Sequence, residues 1–352
     1  MSKASGGNFF EDFQVGQRIR HATPRTLTQG DAALYVALCG SRFCLQSSEV
    51  LARTLGYKHA PLDELLVFHT VFGKSVPDIS LNAVANLGYA EGRFFRPVYP
   101  GTTLSAVSEV IGLKENSNHE TGIVYVRTEG RNEDDELILS YVRWVMVGRR
   151  ERDAAVPPPY VPELANAVAP DNLVVPQYVG FCAFFDPEVS GSPYLWEDYK
   201  PGEKIDHHDG VTIEETEHMT ATRLYQNTAR VHFNQFEESK GRFGRRLVYG
   251  GHVMSLARAL SFNGLANAIA ILAINGGRHV NPLFAGDTVF AWSQVLDKAE
   301  IPGRADCGAL RVRLVAAKNL PCAAFPDKDA NGHYPDNVIL DFDYWALMPR
   351  RR

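Results

Sequence analysis

Arg93-Phe-Phe-Arg-Pro97-Val-Tyr-Pro-Gly101-Thr-Thr103-Leu returns 185 residues later as Arg278-His-Val-Asn-Pro282-Leu-Phe-Ala-Gly286-Asp-Thr288-Val. Upstream of each copy, Glu11-Asp12-Phe13, Gly16 and Ile19 answer Glu197-Asp198-Tyr199, Gly202 and Ile205 at an offset of 186. Downstream, Leu139-x-Tyr-x-x-Trp144 with Arg149-Arg150 answers Leu340-x-Phe-x-x-Trp345 with Arg350-Arg351 at an offset of 201. Three correspondences in the same order mean one unit written twice. The change of offset implies an insertion of 16 residues in the second copy. Phe325-Pro-Asp-Lys-Asp-Ala-Asn-Gly332, rich in turn formers, is where it should fall.

The 352 residues suit two units, each large enough to bury its own core. We place an N-terminal unit at 1–150, a proline-rich linker at 151–188 and a C-terminal unit at 189–352. Hydrophobic residues make up 45% and charged residues 22%, the balance of a globular protein in water. A net charge of −5 with scattered Lys and Arg offers no basic stripe and argues against a nucleic-acid partner. No apolar run reaches membrane length, and the first residues hold no apolar signal core. The five cysteines (39, 44, 182, 307 and 322) show no metal-ligand spacing and cannot all pair within one chain, so reduced thiols in a cytoplasmic protein are expected. In the linker, Ala154-Ala-Val-Pro-Pro-Pro-Tyr-Val-Pro162 should run extended. Leu173-Val-Val, Phe181 and Phe184-Phe185 should pack it onto a surface.

Each half reads as a short strand, a helical stretch, a long apolar helix and then several strands. Val253, Leu256 and Leu260 recur at helical spacing with Ala257 and Ala259 between them, which predicts a helix buried on most sides and stopped at Asn263-Gly264. Leu310, Val312 and Leu314 alternate with Arg311 and Arg313, as a sheet with one wet face requires. Gly122–Thr128 and Glu136–Trp144 flank a polar turn and predict a hairpin. The fold class is α+β: a curved antiparallel sheet around a central helix, built twice.

The residues able to do chemistry lie in the second half. Arg223-Leu-Tyr225-Gln-Asn227-Thr-Ala-Arg230-Val-His232-Phe-Asn234 holds an amide five residues before a histidine. On a regular helix those side chains would diverge by about 140°, so they converge only if the segment unwinds. Leu247-Val-Tyr249-Gly250-Gly251-His252 then leads into the central helix. Glycines at a helix start let backbone amides approach a ligand closely, where the helix dipole favours negative charge. His207-His208-Asp209, the one His/Asp cluster, reads as a turn, not a metal site.

With these motifs the chain resembles the MaoC-like hydratases in their double hotdog form. The likeness spans both halves. That resemblance implies water addition to an enoyl thioester, with His232 as base and acid and Asn227 holding the water. Many family members have Asp at the position of Asn227; an amide cannot take a proton, so proton transfer falls on His232 alone. Gly250 and Gly251 become the oxyanion-hole candidates. Tyr249 and His252 are secondary candidates for substrate contact. The motif pair is most similar to the branch of the family acting on a short branched dicarboxylic thioester, 2-methylfumaryl-CoA (mesaconyl-CoA), hydrated to 2-methylmalyl-CoA. A substrate carboxylate calls for a fixed cation, and Arg230, Arg245 and Arg246 are the candidates. Coenzyme A would be part of the substrate, and no separate cofactor is implied. Monomer and homodimer of double units both fit.

The first half is an internal control. Ser41 and Gln46 keep the five-residue spacing without an acid or base, and Asp63-Glu64 replaces the glycine pair with two charges that would oppose an enolate. That half should have kept the fold and lost catalysis. Three other readings share the sequence features: hydration of neutral acyl chains, thioester hydrolysis, and an acyl-thioester binding module without catalysis.

Overall fold

The computed structural model describes residues 3–153, 155–181 and 185–351; readings that involve Ala154, Cys182 and Phe184 lie outside them. The first half runs β1 (Arg18–Thr26), α1 (Gln29–Cys39), α2 (Glu64–Ser75), β2 (Ala83–Phe94), β3 (Thr103–Glu115), β4 (Thr121–Arg131) and β5 (Leu137–Gly148). The second runs β6 (Lys204–Thr212), α3 (Glu215–Leu224), α4 (Gly250–Leu260), β7 (Ala270–His279), β8 (Thr288–Glu300), β9 (Cys307–Lys318) and β10 (Val338–Pro349). All ten strands join one antiparallel sheet in the order β1-β3-β4-β5-β2-β7-β10-β9-β8-β6. That order is its own mirror about the β2–β7 seam, so the two units share a sheet edge to edge. No helix among the described residues is long and apolar enough to cross a membrane.

The repeated residues are those that close each unit. Gly101 (φ 101°) donates its amide to Leu27 at 2.7 Å, and Gly286 (φ 92°) donates to Ile213 at 2.8 Å. Both turns need a left-handed residue, where any side chain would be strained. The first and last repeated pieces meet each other: Arg150 pairs with Asp12 at 2.7 Å and Arg351 with Asp198 at 2.6 Å. The β9–β10 connection spans residues 319–337, against 132–136 for β4–β5, which is where the insertion was expected. It is tied down by Arg313 to Asp327 at 2.6 Å and by the Trp292 indole to the Pro326 carbonyl at 3.0 Å.

α2 and α4 are buried along most of their length inside the curved sheet, and one core cluster holds Leu66 and Phe68 of the first together with Val253 and Leu256 of the second. α4 closes at Leu260, three residues before the expected stop. The Ser261 hydroxyl bonds the Arg258 carbonyl at 2.6 Å there, and the Asn263-Gly264 kink follows. The linker packs as expected: Tyr160 exchanges two 2.8 Å backbone bonds with Leu113, and Val168, Leu173, Val179 and Phe181 enter a second core. His207-His208-Asp209 is not a turn between elements but a bulge within β6, where the register shifts between Asp206 and Gly210. The buried His207 bonds Ser293 at 2.8 Å and the Asn263 carbonyl at 2.6 Å, a structural role. The described cysteines 39, 44, 307 and 322 are all buried.

Candidate active site

After α3 the chain leaves the helix, as convergence of Asn227 and His232 demands. Gln226 takes φ 50°, the Asn227 Oδ1 accepts the Ala229 amide at 2.9 Å, and Arg230–His232 forms a single 3-10 turn. Close packing holds this segment down. A Cβ at Gly73 of α2 would run into the Tyr225 carbonyl, and it would lie 3.2 Å from the Asn227 nitrogen. On the other side Leu247 donates to the Val231 carbonyl at 2.9 Å, and Val248 donates to Leu283, inside the repeated Pro282–Gly286 turn, at 3.0 Å. The duplicated turn thus positions the histidine segment.

His232 is half-buried, and its Nδ1 lies 3.0 Å from the Leu247 carbonyl. A carbonyl only accepts, so Nδ1 carries the proton and Nε2 keeps its lone pair. Burial pushes its pKa down to about 4, so the ring is neutral at pH 7. It packs edge-on against the buried ring of Tyr249 at 5.4 Å between centroids. Tyr249 immediately precedes α4. The first amide engaged there is that of His252, which reaches the Tyr249 carbonyl at 2.9 Å. The amides of Gly250 and Gly251 come before it and lie at the positive end of the helix. Neither glycine tolerates a side chain: a Cβ at Gly250 would be 2.5 Å from the Cε1 and Nδ1 of His279, and one at Gly251 would be 2.6 Å from the Nδ1 of His69.

The secondary candidates separate. His252 is fully buried and its Nε2 bonds Glu217 at 3.0 Å, which fastens α4 to α3. Arg246 is paired with Glu215, which uses up its charge. Arg245 is exposed, with its guanidinium 3.9 Å above the Phe284 ring. Arg230 is exposed, two residues from His232. Sequence reasoning passed over His279, Tyr89, His69 and Arg143. The signal for His279 was available, since it stands in the repeat where the first copy has Phe94. The other three converge only through the tertiary fold.

At the equivalent place in the first half, Gln46 donates to the Ile269 carbonyl at 3.3 Å and Asp63 caps α2 through the Leu65 amide at 2.8 Å. Glu64 takes the place of Gly250. Burial first, and then the neighbouring Asp63, push its pKa up to about 8, so it is largely protonated at pH 7, in contrast to the two charges expected from the sequence. Glu64, Phe94, Val174 and Pro176 line a cleft of about 50 Å³ under the linker.

Two hotdog units sharing one sheet, with the site histidine kept in only one of them, define the MaoC-like double hotdog class. The chain belongs to the mesaconyl-CoA hydratase family, whose model matches residues 2–321. It is 62% identical over 350 residues to the beta-methylmalyl-CoA dehydratase of Chloroflexus aurantiacus, covering 99% of each chain. To the mesaconyl-CoA hydratase of Cereibacter sphaeroides it is 58% identical over 350 residues, covering 99% of this chain and 100% of that one. A solved MaoC domain dehydratase from Chloroflexus aurantiacus superposes with a TM-score of 0.98 at 61% identity, over 100% of both chains.

Proposed function

We infer that this protein is a hydro-lyase that reversibly adds water to mesaconyl-CoA, giving 2-methylmalyl-CoA. The observation that carries the chemistry is the fixed tautomer of His232: Nδ1–H is tied to the Leu247 carbonyl, which leaves Nε2 basic beside the start of α4. In the hydration direction Nε2 takes a proton from water as its oxygen bonds to the carbon bearing the carboxylate. The C=C electron pair moves onto the thioester oxygen, where the Gly250 and Gly251 amides hold the enolate. The imidazolium then returns the proton to the methyl-bearing carbon, so the elements of one water are added in balance. Asn227, its Oδ1 already fixed by the Ala229 amide, offers its NH₂ to the water. Arg230 supplies the charge for the substrate carboxylate. Coenzyme A is part of the substrate, and this sequence of steps draws on no other cofactor.

The test is absorbance at the enoyl-thioester band with mesaconyl-CoA and crotonyl-CoA in parallel, with a thiol reagent present. Rapid loss of signal with mesaconyl-CoA alone is expected. Preference for crotonyl-CoA would move the function to neutral enoyl chains, thiol release would mean hydrolysis, and no change with either would leave a binding module. Asn227→Asp should keep part of the turnover and add an acidic limb to the pH profile, because the carboxylate can still accept the Ala229 amide.

A further inference from the structure

We propose that His279, held by Tyr89 from the other half of the chain, donates its Nδ1–H to the thioester oxygen and completes the oxyanion hole begun by Gly250 and Gly251. The proposal rests on the hydratase reading above and adds a residue to it. Tyr89 Oη lies 3.1 Å from His279 Nε2 across the β2–β7 seam. The buried hydroxyl has this one partner among the described residues, so its proton goes to Nε2 and the imidazole proton sits on Nδ1. The imidazole lies face-on over Gly250, where a Cβ would be 2.5 Å from Nδ1 and Cε1 and 2.7 Å from Cγ, so the Nδ1 side of the ring sits beside the start of α4. His279 as a whole residue is half-buried.

The seam is built for this contact. Tyr89 pairs with Gly277 in the sheet, and a Cβ there would be 2.9 Å from the Tyr89 ring, so the glycine lets the ring lie flat toward His279. The pseudo-symmetric position carries the same geometry with the polarity removed. Ile274 lies over Gly92, and Phe94 stands where His279 would. The two sides of the seam therefore differ together: His232, Gly250, His279 and Tyr89 on one, Gln46, Glu64, Phe94 and Ile274 on the other. Burial first, and then nearby His232, push the His279 pKa down to about 4. A neutral imidazole donates a hydrogen bond to an enolate without surrendering its proton, so it stabilises charge and leaves protonation of carbon to His232. Behind Tyr89 stands Arg143, fully buried, with bonds to Ser75 at 2.8 Å and Ser80 at 3.3 Å and its guanidinium 4.2 Å over Phe72. Its charge polarises the phenol toward donation.

The experiment compares His279→Phe, His279→Gln, His279→Asn and Tyr89→Phe with mesaconyl-CoA, alongside His232→Gln. The asparagine amide can place its NH₂ near the lost Nδ1, whereas the glutamine amide reaches the Nε2 position. We expect His279→Phe and His279→Gln to lose roughly 10²–10³-fold in kcat at little changed KM, His279→Asn to recover part of that, and Tyr89→Phe, a positioning residue, to lose roughly tenfold. Mesaconyl-CoA bound to His232→Gln should show a red-shifted enoyl band, and adding His279→Phe should remove the shift without removing binding. The inference is overturned if His279→Phe stays within about threefold of the parent in kcat, or if the band shift survives it. Should His279→Phe fail to fold, the His279→Asn against His279→Gln ranking decides, and equal losses count against the proposal. An active His232→Gln variant would instead bring down the underlying hydratase reading.

Discussion

A single hydrogen bond decides the chemistry of His232. With Nδ1–H held by the Leu247 carbonyl and the pKa near 4, the ring is a base at every pH above about 5. The plot of kcat/KM against pH should be flat on its acid side down to about pH 5 and fall only as the ring protonates, well below the limb an ordinary histidine near 6.5 would give. His232→Ala should cost about 10²–10⁴-fold in kcat without lowering the melting temperature appreciably, checked by steady-state kinetics and scanning fluorimetry. Glu64 behaves oppositely. Its native pKa of about 8 lies above the usual carboxylate value, so unfolding releases a proton between roughly pH 4.5 and 8 and native stability drops as pH rises through that window. Glu64→Gln keeps an acceptor for the Ile271 amide at 3.3 Å and should stabilise the protein by about 1–2 kcal/mol at pH 8, with no gain at pH 4.5. Urea midpoints at the two pH values measure this. Asn227, His232 and the glycine pair could be proposed from the sequence because they lie in two short motifs. Tyr89 and Arg143 were not, because strands far apart in the chain bring them to the site. The pair of charges expected at Asp63 and Glu64 was misjudged for a related reason: the sequence names the two carboxyl groups but does not say how deeply they are buried.

At the level of elements, the candidate site depends on α2 of the first half crossing the unwound stretch after α3. Gly73→Ala would set a methyl group against the Tyr225 carbonyl, and backbone cannot move aside as a side chain can. A loss of about 1–3 kcal/mol is expected, with a larger fractional loss of activity than of folded protein, since Asn227 shifts with the segment. Chemical denaturation and kcat on the same preparation check both parts. Strand positions followed from alternation: β9 keeps Arg311 and Arg313 on its wet face, bonded to Asp343 and Asp341 of β10. The bulge at His207–Asp209 holds a locally turn-like residue, His208 at φ 61°, and only the pairing on both sides of it with β8 makes the segment a strand. The end of α4 was missed because side-chain bonds around Arg258 and Ser261 close the helix before the glycine does.

On the scale of the whole molecule, duplication was legible from three motif pairs, but the shared sheet was not, since seam residues carry no signal until β2 and β7 are set side by side. One sheet and one core cluster spanning both halves predict a single cooperative unfolding transition. Far-ultraviolet circular dichroism and tryptophan fluorescence, which reports Trp144 in the first half and Trp196, Trp292 and Trp345 in the second, should give coincident urea curves. Separate transitions would mean that the halves unfold independently.

The seam has an evolutionary consequence. In a homodimer built about this axis, every substitution would be printed on both sides at once, so a tyrosine that supports one site would also intrude on the other. Covalent fusion removes that constraint. Position 89 can be Tyr while its counterpart 274 is Ile, and position 279 can be His while 94 is Phe. The chain is in this sense a dimer freed from its own symmetry, able to devote one half to refining the other.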